Sequence, residues 1–212
     1  MDTFQPDLPG DISITLRSLE ERLTQRIYKS TKTGLQNFDA FEALWPKMAG
    51  EPSTCLLFVE VDKMKRLNNE FGHENADRFL QALGDILDKF NSSDTYSFHV
   101  SGDEFLVVVC NRTNEKVSEL TAQILHKVRA CRVAIENNAQ TFAVSIGIYK
   151  IDPSDSVEVS KAARDFAEDA VKEAKRNGGN QYCWFTPDMM KQAPQIDIAG
   201  IARTVAPNFH FQ

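Results

Sequence analysis

The stretch that most constrains this chain is Ser101-Gly102-Asp103-Glu104-Phe105, a polar turn with two adjacent carboxylates between two β-rich runs. Thr95-Tyr-Ser-Phe-His-Val100 precedes it and Phe105-Leu-Val-Val-Val-Cys110 follows. Short runs of β-branched and aromatic residues joined by a Gly-containing turn predict a β-hairpin. Gly and Asp are ordinary turn residues, so a solvated tip accounts for this stretch taken alone. A second acidic pair, Glu60 and Asp62, closes another strand-like run, Cys55-Leu-Leu-Phe-Val-Glu-Val-Asp62. Two carboxylate pairs at strand ends point to a divalent-cation site, because hard Mg²⁺ prefers oxygen ligands and substrate phosphates.

The pattern around the two pairs predicts where they lie. A helix over 38–48, with Phe38, Phe41, Leu44 and Trp45 on its apolar face, precedes a strand at 54–61. A helix near 63–70, a polar turn at Gly72-His73 and a helix over 76–90 follow, the last carrying Phe79, Leu80, Leu83, Ile86 and Leu87 on one side. Hairpin strands at 95–100 and 104–110 lead to a long helix over 114–135 with Val117, Leu120, Ile124, Leu125 and Val128. Phe142, Val144, Ile146 and Ile148 alternate strictly, which predicts a strand at 141–149 with one buried face. A helix at 157–176 and a short strand at 181–185 close the regular part.

This order contains βαββαβ, the split arrangement of the ferredoxin-like fold. In that topology the first two strands run parallel and the third inserts antiparallel between them. The hairpin tip then lies beside the C-terminal end of the first strand, which sets Asp103 and Glu104 next to Glu60 and Asp62.

Composition narrows the function. A net charge of −6 excludes a general nucleic-acid binder, which carries a basic footprint, yet leaves room for a nucleotide held by a local Lys and a metal. Apolar runs are strand-sized, far below the roughly 20 residues of a membrane helix, and Met1-Asp-Thr-Phe-Gln-Pro6 shows no signal-peptide pattern. Cys55, Cys110, Cys131 and Cys183 are scattered without metal-ligand spacing, as in a reduced cytoplasmic protein. Near the N-terminus, Ile12, Leu16, Leu19 and Leu23 form a stripe that ends at Arg26. It fits a short coiled-coil seam or a helix packed on its own domain equally well.

Five ordered motifs give the chain a family resemblance over roughly residues 30–185. Thr33-Gly-Leu-Gln-Asn37 resembles the TGLxN turn of the GGDEF family, the diguanylate cyclases. Asp62-Lys-Met-Lys-Arg-Leu-Asn-Asn69 with Gly72, His73 and Asp77 is similar to that family's DxDxFKxxND and GHxxGD run. Ser101–Phe105 stands at the signature, Val144–Gly147 at VSIG, and Ala174-Lys175 with Gly178 and Asn180 at AKxxGRN. The resemblance implies a palm-type βαββαβ GGDEF fold of the α/β (α+β) class. Its central, mostly antiparallel sheet is flanked by helices, with an N-terminal helix ahead of it. The resemblance implies a cyclase domain at 31–186. Outside it, the apolar stripe predicts an N-terminal helix at 1–30, as a short coiled-coil dimerisation segment or a helix packed on its own domain. An extension at 187–212 is expected to carry a short helix that docks on the domain or a partner.

The implied activity joins two GTP molecules into cyclic di-GMP across two facing domains, with Mg²⁺ or Mn²⁺, in a homodimer without nucleic acid or membrane segment. By the same resemblance Glu60, Asp103 and Glu104 are the metal residues, with Asp103 and Glu104 catalytic. Asn68 and Asp77 read the guanine, while Lys65, Gly102 and Lys175 attend the nucleotide. A carboxylate accepts from guanine N1–H and N2–H₂, which suits Asp77.

Departures accompany the matches. Glu60 is one methylene longer than the family's Asp, and a displacement of about 1 Å can cost roughly 10²-fold in rate. Ser101 replaces a glycine, Gly179 the arginine of GRN, and His99 a residue that is often Arg. Met64, Asn69, Ala76 and Lys172 replace Phe, Asp, Gly and Tyr. The inhibitory RxxD motif is missing, with Ser92 and Thr95 at its ends. Arg176, beside Lys175, points in another helical direction from the lost arginine. His73 is expected to serve the helix junction by hydrogen bonding rather than to act in catalysis. The rival readings are a degenerate GGDEF domain serving as a GTP-binding or protein-interaction module, with a partner on the N-terminal helix or C-terminal tail, and a related palm making a different product.

Overall fold

The computed structural model describes residues 27–152 and 157–192, apart from the side chains of 157–161 and 191–192. The N-terminal stripe from Ile12 to Arg26 and residues 193–212 lie outside the described residues. Helix α1 (Phe38–Ala49) begins at Asn37, whose side chain accepts from Ala40 N. Strand β1 (Cys55–Val61), helices α2 (Met64–Phe71) and α3 (His73–Asp88), and strands β2 (Thr95–Ser101) and β3 (Glu104–Val109) follow. Then come α4 (Asn114–Ala130), a small hairpin of β4 (Val133–Ile135) and β5 (Asn138–Gln140), and β6 (Val144–Lys150). Helix α5 (Val157–Arg176), β7 (Tyr182–Trp184) and a 3₁₀ turn (Pro187–Gln192) that packs on α5 complete it.

The main sheet has the order β2-β3-β1-β6-β7, with only β6 and β7 parallel neighbours. β3 lies antiparallel to both β1 and β2, so β1 and β2 run the same way, as the split topology requires. β1 is central and covered on both faces, which is why it reads as a continuous apolar run rather than an alternation. Cys55, Leu57, Val59 and Val61 join the core with α3 and α4. Leu56 and Phe58 join the opposite core with α1 and α5. Gly147 lets α5 press onto β6: a Cβ there would meet Ala167 O at 2.0 Å.

Two expectations are corrected. α4 stops at Ala130, because Cys131 turns extended (φ −67°, ψ 140°). Val133 and Ile135 then pair with Gln140 and Asn138 instead of continuing the helix. The strand predicted from 141 begins at Val144, although Phe142 is buried as its alternation implied.

Candidate active site

Antiparallel pairing sets Glu60 of β1 directly opposite Glu104 of β3. Val61 N donates to Asp103 O at 3.3 Å, holding the hairpin tip against the end of β1. The acidic positions far apart in sequence therefore meet as the topology required. Their side chains are then drawn to cations from α5. Lys175 Nζ lies 2.5 Å from Glu60 Oε1, and Arg164 Nη2 2.9 Å from Glu104 Oε2. Ser101 Oγ donates to the same Glu104 oxygen at 3.0 Å, so the serine at the signature's first position clamps a carboxylate. Arg164 is itself seated over the rings of Phe38 and Phe58, at 5.4 and 5.7 Å from their centroids.

Among the described residues, no three His, Cys, Asp or Glu side chains stand grouped as a metal site. Glu60, Asp103 and Glu104 are thus neighbours by strand register rather than a preformed cluster of side chains. The backbone register brings the positions together, and the ion pairs turn Glu60 and Glu104 towards α5. The donor chemistry still suits a hard divalent cation, since every candidate ligand is a carboxylate oxygen. Burial pushes the Glu60 carboxyl above its usual range despite Lys175, and the nearby Asp103 and Glu104 charges push the same way. An acid crowded in this manner gains from an added cation.

Asp62 does not join this group. Its carboxylate accepts from Ser145 Oγ and from Asn180 N, each at 2.7 Å, and so ties the end of β1 to the turn after α5. Gly102 takes a left-handed conformation (φ +50°) with open space where a Cβ would stand, so the turn, and not crowding, calls for glycine.

The predicted base-reading residues flank the α2–α3 junction. Asn68 is half-buried on α2, with no side-chain hydrogen bond among the described residues, and its carbonyl accepts from Gly72 N. Asp77 on α3 pairs with Lys32 at 2.7 Å. Lys65 is exposed on α2. A cavity of about 560 Å³ beside Lys175 is lined by Lys63, Arg66 and Arg129 but not by Lys65. His73 is exposed at the start of α3 and makes no side-chain hydrogen bond among the described residues, contrary to the role expected of it. His99 is buried, stacked on Phe105, and bonded to Ser30 Oγ at 2.7 Å and Gly102 O at 3.0 Å. It thereby links the 30–36 turn to the signature turn. Arg176 turns to Glu173 and takes no place at the site.

Sequence reasoning missed Arg164 and Lys32. Arg164 was within reach, because it precedes Lys175 by about three helical turns and so shares its face. Lys32 carries no such signal, since its partner lies 45 residues away across a loop.

A family model described as diguanylate cyclase, GGDEF domain, matches residues 19–181. The chain is 29% identical over 143 residues to the diguanylate cyclase DgcP of Escherichia coli (strain K12), covering 65% of this chain and 42% of that protein. It is 26% identical over 177 residues to the cyclic di-GMP phosphodiesterase PdeR of the same organism, covering 82% of this chain and 26% of that protein. The chain thus spans less than half the length of these curated relatives. The coiled coil and GGDEF domain of DgcB from Caulobacter crescentus shares the fold, with TM-score 0.75 and 18% identity over 82% of this chain and 94% of that one. No helix among the described residues is long and apolar enough to cross a membrane.

Proposed function

Because the chain belongs to the GGDEF family, we propose that it is a diguanylate cyclase that condenses two GTP molecules into cyclic di-GMP. The observation that carries this reading is the pairing of Glu60 with Glu104, beside Asp103, at the ends of the adjacent strands β1 and β3. What supports the reading is that strand register gathers three carboxylates at one rim of the sheet, the donor type that a hard divalent cation takes.

Glu60, Asp103 and Glu104 would hold Mg²⁺ or Mn²⁺, which when bound offsets phosphate charge and makes a hydroxyl more acidic. Asn68 and Asp77 hold the guanine. Lys175 swings on its flexible stem from Glu60 to a phosphate oxygen, Lys65 serves the phosphates from the rim, and the Gly102 backbone borders the nucleotide. Glu104 Oε2 is clamped by Arg164 and Ser101, which leaves Oε1 to accept the proton of the attacking 3′-hydroxyl. The 3′-oxygen bonds to the α-phosphorus of the opposite GTP, the bond from that phosphorus to pyrophosphate breaks, and pyrophosphate leaves. One domain presents one GTP, so ring closure needs two domains face to face, as in a homodimer.

Incubation with GTP and Mg²⁺ or Mn²⁺ tests the reading: cyclic di-GMP and pyrophosphate should accumulate. The rival, a GTP-binding or interaction module, draws support from the ion pairs that already answer Glu60 and Glu104. GTP binding without product under both metals would select it.

A further inference from the structure

Position 179 lacks the cation that the resemblance implies there, and its geometry disfavours a side chain. Gly178, Gly179 and Asn180 all have positive φ (108°, 72° and 54°), so the chain after α5 turns back tightly. A Cβ on Gly179 would lie 2.9 Å from Asp62 Oδ2, the oxygen that accepts from Asn180 N. A side chain at 179 would strain the backbone and push that carboxylate aside.

The neighbouring cavity supplies positive charge from elsewhere. Lys63, Arg66, Arg129 and Lys175 line it, and Asp62 is its single lining acid. Both Asp62 oxygens are engaged, by Ser145 and Asn180. Arg66 is paired with Glu70 and Lys175 with Glu60. Lys63 and Arg129 have no carboxylate partner among the described residues. Arg129 is held in place by two bonds to the tight turn, Nε to Asn180 Oδ1 at 2.9 Å and Nη2 to Asn180 O at 2.6 Å. Its Nη1 is bonded to none of the described residues. A guanidinium fixed by neutral acceptors, with a donor to spare and no counter-ion, is set up to bind an anion.

We propose that Arg129, assisted by Lys63, holds the terminal phosphates of the triphosphate tail in this cavity, in place of a cation that position 179 lacks. This rests on the GTP reading above. The site adjoins Lys175, which reaches both the cavity and Glu60, so a tail lying there leaves its α-phosphate towards the acids.

Titration calorimetry with Mg²⁺ present, using inorganic tripolyphosphate, GTP and guanosine as separate probes, tests it. Arg129→Gln should weaken tripolyphosphate and GTP by about tenfold, the scale of one charge-assisted contact, and leave guanosine unchanged. Arg129→Lys should recover most of the loss, and Lys63→Gln should weaken tripolyphosphate by a smaller factor. Failure of the parent to bind tripolyphosphate, or unchanged tripolyphosphate affinity in Arg129→Gln, would overturn the proposal. An equal loss for guanosine and GTP would also overturn it, because Arg129 would then act only by shaping the Asn180 turn. Tripolyphosphate binding that responds to Arg129, with ATP run as a fourth probe and binding as tightly as GTP, would uphold this site while removing the base-reading part of the functional proposal.

Discussion

The acid end of the proposed site and its proposed base-reading end are built differently. At the acid end, Glu60 and Glu104 are fixed by strand register and each is held by a cation from one helix, α5, with side chains only 27–33% exposed. At the base end, Asn68 makes no side-chain hydrogen bond among the described residues. Asp77 meets a lysine on a loop, with side chains 36% and 49% exposed. The stiff end can hold reacting atoms in place, which bond formation demands. The looser end can exchange one partner for another, which is what reading a base requires. Damage at the two ends should therefore appear in different measurements.

The largest effect is expected from Asp103→Asn, which removes a charge with little change in volume. Cyclic di-GMP formation should fall by about 10²–10³-fold or more, while the melting temperature stays near that of the parent. Turnover at the parent rate would show that the acid end does no chemistry.

Asp77→Ala should act on affinity. GTP should bind about 10- to 100-fold more weakly and the preference over ATP should disappear, because a site built for specific donors rejects a base that lacks them. Competition binding with ATP and GTP checks this, and an undiminished preference would move base reading elsewhere.

A smaller effect separates Asp77 from its present partner. An exposed ion pair is worth at most about 1 kcal/mol, so Lys32→Met should tighten GTP binding only a few-fold, and less at high salt. Weaker binding in that variant would mean that Lys32 contacts the base instead of competing for Asp77.

The smallest effect lies away from both ends and serves as a control. Arg112 makes two bonds to Asp94, both at 2.8 Å, and holds that carboxyl well below the usual carboxylate range. A depressed folded-state pKa stabilises the protein above the unfolded value near 3.9 and loses that contribution as pH falls further. With partial exposure, Arg112→Met should cost about 1 kcal/mol, or roughly 2–4 °C at pH 7, a gap that narrows below about pH 4. A gap that widens in acid would contradict the pairing.

Much of this site was legible before any coordinates. The continuous run at 55–59 reflects a strand buried on both faces, while the alternation at 142–148 marked only one of two buried faces. Helix α5 covers the other, over Ser145 and Gly147, where small side chains hid it from the pattern. The split strand order then forces Asp103 and Glu104 beside Glu60. The two ion pairs were not legible, because they depend on rotamers and on how closely α5 settles over Gly147. The 133–140 hairpin was absorbed into the preceding helix, since three-residue strands are too short to show a period. The tie made by Asp62 was not legible either: its acidity paired it with Glu60 in the sequence, whereas its partners, Ser145 and Asn180, lie far along the chain.

The most direct test of the division between the two ends is the initial rate of cyclic di-GMP formation against GTP concentration, for the parent, Asp103→Asn and Asp77→Ala together. The account predicts product from the parent, a rate near zero at every GTP concentration for Asp103→Asn, and recovery towards the parental maximum at high GTP for Asp77→Ala. A parent that binds GTP yet makes no cyclic di-GMP with Mg²⁺ or Mn²⁺, or an Asp103→Asn variant that keeps the parental maximum rate, would contradict it.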